Sequence, residues 1–77
     1  MKKTIQSHCK SFRENVLQIT LKEMELKTGV KVGTISAFEN GNSNNINHLF
    51  NYVVSCETEI QLIEFHNVIT LALSKGE

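Results

Sequence analysis

Residues 20–41 read TLKEMELKTGVKVGTISAFENG, and the fold turns on this stretch. It opens with Thr-Leu-Lys-Glu, in which the Thr20 hydroxyl can accept from the amide of Glu23 while the Glu23 carboxylate reaches back, a capping box that starts a helix. Leu21, Met24 and Thr28 then share one face of that helix. Gly29 supplies the left-handed residue that a tight exit requires, so the helix is expected to stop there. Val30 follows as an apolar plug. Ile35 and Phe38, three residues apart, mark the buried side of a second helix over residues 32–40, ended by Asn40-Gly41.

Upstream, Ile5, Cys9, Phe12 and Val16 fall at steps of four, three and four, which predicts a first helix over residues 5–16. Downstream, Asn42, Ser43, Asn44 and Asn45 form a loop, because short amides bond their own backbone and compete with regular structure. Asn45 is placed to cap a fourth helix whose apolar positions are Ile46, Leu49, Phe50 and Val53. Thr58 with Gln61 makes another capping box ahead of Ile60 and Ile63. The expectation is therefore an all-α bundle of five helices with a central helix-turn-helix. The last segment, residues 60–73, is apolar on more than one stripe, so something outside the domain should cover the surplus. A dimer partner is the simplest cover. Residues 68–73 are β-branched enough that an edge strand pairing across a dimer is the alternative to helix.

The chain has 77 residues, enough for one modest core and hence one domain over residues 1–77. A core this small gains stability from a second copy, which again favours a homodimer. No run approaches the roughly 20 apolar residues needed to span a bilayer, and Met-Lys-Lys-Thr-Ile leads into polar Gln6 and Ser7 rather than an apolar signal core. An intracellular protein without membrane contact is expected. Cys9 and Cys56 each follow an apolar rhythm, which suits reduced core thiols. Formal charge is zero, yet residues 1–31 carry seven Lys and Arg against three Glu, and residues 32–77 one Lys against five Glu. The basic half is suited to face phosphates while the acidic half points elsewhere.

The stretch TLKEMELKTGVKVGTISAFENG resembles the helix-turn-helix of the phage repressor and Cro family, with Gly29-Val30 at the turn, Thr34-Ile35-Ser36 in the second helix and Glu39-Asn40-Gly41 at its end. Ile46, Leu49, Phe50 and Val53 are similar to the family's fourth helix. The resemblance implies that the second helix of the pair enters the major groove while the first sits on the DNA backbone. It assigns DNA contacts to Lys22, Lys31, Val32, Gly33, Thr34, Ser36, Ala37, Asn40, Asn42, Ser43 and Asn44. Val32 and Ala37 are suited to thymine methyls, Lys31 to a guanine or a phosphate, and Asn40 with residues 42–44 to phosphates.

Some positions depart from the family pattern. Leu21 stands where members carry a phosphate-touching glutamine, Glu25 where they carry a small alanine, Lys31 in place of a capping serine and Gln18 in place of a glycine. The link from Arg13 to Thr20 is about one residue longer than usual. These departures open a second reading, a protein-binding module that offers Leu21, Leu26 and the small-residue face to another protein's helix. Ile69 and Leu73 join them as partner-facing candidates in the last helix, residues 58–74.

His8, Cys9, His48, Cys56 and His66 lack the close spacing of a zinc site, so no metal is expected. Aspartate is absent, which excludes a Ser-His-Asp triad, and no glycine-rich phosphate loop occurs. Neither an enzyme nor a cofactor is expected. The sequence points to a transcriptional regulator of the repressor or Cro type, binding double-stranded operator DNA as a dimer in the cytoplasm of a bacterial or phage-infected cell. The alternative is an antirepressor or inhibitor that binds a repressor or another host protein.

Overall fold

The computed structural model describes residues 5–74. Ile5, Cys9 and Phe12 turn inward along α1 (Ile5–Phe12), and the chain then continues into a π-helical turn, Arg13–Leu17. The predicted end at Val16 is thus extended by one residue, and Leu17 rather than Val16 is the more deeply buried of the two. A π turn holds one more residue than an α turn, so it absorbs the long link to Thr20 without displacing the helices on either side. It closes on Gln18, whose φ of 55° lets its amide donate to the Arg13 carbonyl, with Ile19 donating to the same oxygen at 3.2 Å.

Helix α2 (Leu21–Thr28) begins with the predicted capping box: Glu23 N donates to Thr20 Oγ1 at 3.1 Å and Thr20 N to Glu23 Oε1 at 2.8 Å. Gly29 ends it at φ 79°, its amide donating to the Glu25 carbonyl. Helix α3 (Val32–Glu39) ends at Asn40, and Gly41 after it takes φ 84°. After the loop, Asn45 caps a short 3₁₀ turn, Ile46–His48, by accepting from Asn47 N at 3.0 Å. Helices α4 (Leu49–Ser55) and α5 (Glu59–Ser74) complete five helices, with no strand among the described residues. Residues 68–73 are helical, because Phe65, Val68, Ile69 and Ala72 meet the interior at helical spacing.

The core is aromatic. Phe12 meets Phe65 at 4.9 Å between ring centroids, Phe65 stacks on Tyr52 at 5.8 Å, and Tyr52 faces Phe38 at 6.2 Å. Met24, Ile35 and Cys9 fill the space between them, all but fully buried. Each buried Phe, Met and Ile among them contributes about 1.5–3 kcal/mol on leaving water. Helix α1 packs on α5 and α3, and α2 bridges α3 and α4. No helix among the described residues is long and apolar enough to cross a membrane.

Three expectations require correction. In α4 the inward side chains are Leu49, Tyr52 and Ser55, while Ile46, Phe50 and Val53 are exposed. The α-helix begins only at Leu49, and the 3₁₀ turn before it winds with three residues per turn, so Ile46 falls out of phase with α4. Leu21 and Ile69, expected to face a partner, are instead half-buried against the core; Leu26 and Leu73 are exposed as expected. The Thr58 box is half formed: Gln61 N donates to Thr58 Oγ1 at 3.2 Å, but the Gln61 side chain accepts from Glu57 N at 2.7 Å rather than from Thr58.

Candidate nucleic-acid interface

The three residues between α2 and α3 set the crossing of the two helices, and Val30 closes it from inside. Ile35, Phe38 and Glu39 point inward from α3, which leaves Gly33, Ala37 and Asn40 along its outermost line. Thr34 flanks that line on one side and Ser36 on the other, and Asn40 Nδ2 donates to Ser36 Oγ at 3.3 Å. Nothing on this face is longer than asparagine. Beyond it, Asn42 N donates to the Ala37 carbonyl at 2.9 Å, and Gln6 on α1 holds the loop by donating to Ser43 O at 3.1 Å and Asn44 Oδ1 at 3.2 Å.

Lys31 precedes α3 at the cap position and offers no side-chain cap. Glu25 takes that role from the neighbouring helix: its Oε1 accepts from Val32 N at 3.3 Å and lies 3.8 Å from Lys22 Nζ. A carboxylate at a helix N-terminus is stabilising, and here it occupies the spot where the helix would otherwise present bare amides to an anion. Lys22 is thereby brought beside the start of α3. Lys22, Lys31, Gly33, Thr34, Asn40, Asn42 and Asn44 are exposed, while Val32, Ser36, Ala37 and Ser43 are half-buried. All eleven predicted contact residues thus keep some surface, on α2, α3 and the loop after α3.

The basic half is weaker as a phosphate surface than the charge count suggests. Arg13 is buried: its Nε donates to Glu39 Oε2 at 2.9 Å, its Nη2 to Glu39 Oε1 at 3.0 Å and its Nη1 to the Ile19 carbonyl at 2.8 Å. Tyr52 OH donates to the same Glu39 Oε2 at 2.8 Å. This cluster ties the end of α3 to the π turn and to α4. The hydrogen bond to Glu39 holds the Arg13 guanidinium charged, and burial, reinforced by Glu39, pushes the Tyr52 hydroxyl up. Burial also pushes the Cys9 thiol up to about 12. Lys27 pairs with Glu57, whose carboxyl it holds below the usual range by hydrogen bonding. Among the described residues this leaves Lys10 and Lys31 as lysines outside any ion pair, and none lies between residues 32 and 74.

The sequence marks Glu25 as a departure and Glu39 as the end of the motif, but not the tertiary roles of these two, nor those of Arg13, Tyr52 and Gln6. The signal for Arg13 is present, since it lies four residues after Cys9 and so continues the apolar side of α1 into the π turn. Nothing local shows the partner of Glu25, which acts on a residue seven positions on, or of Gln6, which acts on a loop 37 residues away.

Among the described residues no group of His, Cys, Asp and Glu gathers to hold a metal ion. A cavity of about 80 Å³, lined by Ile5, Gln6, Phe38, Asn44, Ile46 and Leu49, is far below the roughly 300–1,000 Å³ of a small-molecule site. No family model matches the chain, and neither a curated protein nor a solved structure does.

Proposed function

We propose that this protein is a sequence-specific DNA-binding regulator of the repressor or Cro type that acts as a dimer on operator DNA in the cytoplasm of a bacterial or phage-infected cell. The observation that carries the reading is the outward face of α3. Gly33, Ala37 and Asn40 form a smooth ridge, Lys22 and Lys31 stand at its start, and the amides of residues 42–44 stand past its end. Such a ridge is slim enough to enter a major groove with its backbone close to the base edges. The resemblance of residues 20–41 to the phage repressor family supports the same assignment.

The test is binding of the purified protein to DNA fragments from its own locus at low and physiological salt. Tight, selective binding is expected, with Lys31→Ala weakening it and reducing the salt slope by about one charge. Weak binding without selectivity would overturn the reading.

A second reading, a module that binds another protein, is favoured by Leu26, which is 76 % exposed on α2, and by the loss of Arg13 and Lys27 to internal ion pairs. Under it, Leu26→Glu abolishes complex formation with full helix content retained. DNA binding unaffected by that change supports the first reading.

A further inference from the structure

Helix α5 carries more apolar surface than one body can bury. Phe65, Val68, Ile69 and Ala72 face the core, yet the opposite side bears Ile60, Ile63, Asn67, Thr70 and Leu71, with Ile60 73 %, Ile63 59 % and Leu71 58 % exposed. We propose that this outer stripe is the seam of a homodimer in which two α5 helices pack antiparallel about a twofold axis at Asn67. The geometry completes the dimer of the proposed function, but it rests on α5 alone and is measured without DNA.

Charge selects the direction. Glu59 and Glu64 flank the stripe, are exposed and have no ion-pair partner among the described residues. Parallel pairing sets Glu59 of one helix beside Glu64 of the partner subunit, across the seam and five residues on, and two like charges there are destabilising. Antiparallel pairing about Asn67 sets Ile63 across from Leu71, Glu64 across from Thr70 and Ile60 across from Ser74, so that no carboxylate of α5 meets another. The carboxylates of α5 all lie before Asn67, and residues 67–74 carry no charge. Antiparallel pairing therefore lays the acidic end of one helix against the uncharged end of its partner.

Asn67 suits the axis itself. Its amide offers both donors and an acceptor, so it pairs with Asn67 of the partner subunit in a reciprocal bond. An asparagine paired with its own copy inside an apolar seam fixes register and direction at some cost in stability. Three aliphatic side chains on one helix face fall short of a standard interface of roughly 800 Å² per partner, so dissociation in the micromolar range is expected.

Sedimentation equilibrium from low micromolar to millimolar protein should follow a monomer–dimer scheme. Ile63→Glu should raise the dissociation constant at least tenfold with an unchanged helical spectrum, and Leu71→Glu provides a second variant. In a Cys56→Ser background, Asn67→Cys should oxidise to a covalent dimer, because the twofold brings its Cα atoms within the roughly 7 Å a disulfide allows. Ile60→Cys in that background should stay monomeric on denaturing gels; Cys9 is fully buried and is left in place. A monomer at every concentration would reserve the stripe for a different protein and overturn the proposal. So would a dimer indifferent to both glutamate variants, or one that Ile60→Cys cross-links as readily as Asn67→Cys.

Discussion

Arg13 and Glu39 meet side by side in the core, two parallel N–H···O bonds of 2.9 and 3.0 Å between side chains that are 7 % and 2 % exposed. Through this pair the end of α3 is fixed to the turn that follows α1, and Tyr52 adds a third bond from α4. The arrangement sets how far the outward face of α3 stands from the body. Its net contribution to stability is modest, since two ions had to leave water, but removing one partner strands the other.

Glu39→Gln should therefore cost about 3–5 kcal/mol, enough to unfold much of a domain this small at room temperature. Tyr52→Phe should cost far less, about 1 kcal/mol for one hydrogen bond, because Glu39 keeps both bonds to Arg13. The triple variant Arg13→Met, Glu39→Leu and Tyr52→Phe, which leaves neither the ion nor the Tyr52 hydroxyl stranded, should recover much of the loss. Urea denaturation of the three proteins measures the order, and a Glu39→Gln domain as stable as the parent would count against a charged pair.

Alkaline pH tests the same core from another side. Cys9 has an ordinary value of 9.0 and is held protonated up to about 12 by burial and then by Glu39, and Tyr52 is raised for the same reasons. In the folded state both keep protons that the unfolded chain has lost. Stability should thus be whole below pH 9 and fall as pH rises from there toward 12, at up to about 1.4 kcal/mol per pH unit for each group. Urea midpoints measured across this window should decline, with Cys9→Ala showing a shallower decline from pH 9. A flat profile would mean that neither group is shielded from water.

The all-helical bundle was legible because its signals are local. Thr20 with Glu23, the stops at Gly29 and Gly41, and the spacing of Ile5, Cys9 and Phe12 each act within about one turn of helix. The apolar spacing of α4 misleads because it runs across Ile46–His48, where the winding changes from 3₁₀ to α, and this places Phe50 and Val53 on the surface rather than in the core. Leu21 and Ile69 were misplaced for a related reason: both sit at the margin of a buried face, where neighbouring helices decide whether they are covered. The composition of the candidate interface was visible, whereas its electrostatics depended on tertiary partners. Arg13 counted as a surface cation until Glu39 was brought to it across 26 residues.

Glu25 is the residue whose replacement separates stability from recognition. Glu25→Gln keeps an oxygen able to accept from Val32 N but removes a negative charge from the start of α3 and releases Lys22. Stability should fall by about 0.3–1 kcal/mol, the worth of an anion at a helix N-terminus. If α3 enters the groove, affinity for DNA should rise, by roughly fivefold for a phosphate about 4 Å away in water, and the gain should shrink with added salt. Fluorescence anisotropy at two salt concentrations reads both effects. An unchanged affinity would place the Glu25 carboxylate away from the DNA backbone.

Gly33 gives the sharpest contrast between fold and function. It lies in the first turn of α3, exposed, and a Cβ built on it meets nothing within 4 Å. Alanine is the better helix former, so Gly33→Ala should stabilise the domain by about 0.5–1 kcal/mol, partly by restricting the unfolded chain. The same methyl group stands on the outermost line of α3 with Ala37 and Asn40, where the proposed contact requires the backbone to lie against base edges. DNA binding should therefore weaken while the urea midpoint rises. A variant that gains stability and binds DNA as well as the parent would move the contact away from the start of α3, toward Asn40 and the loop beyond it.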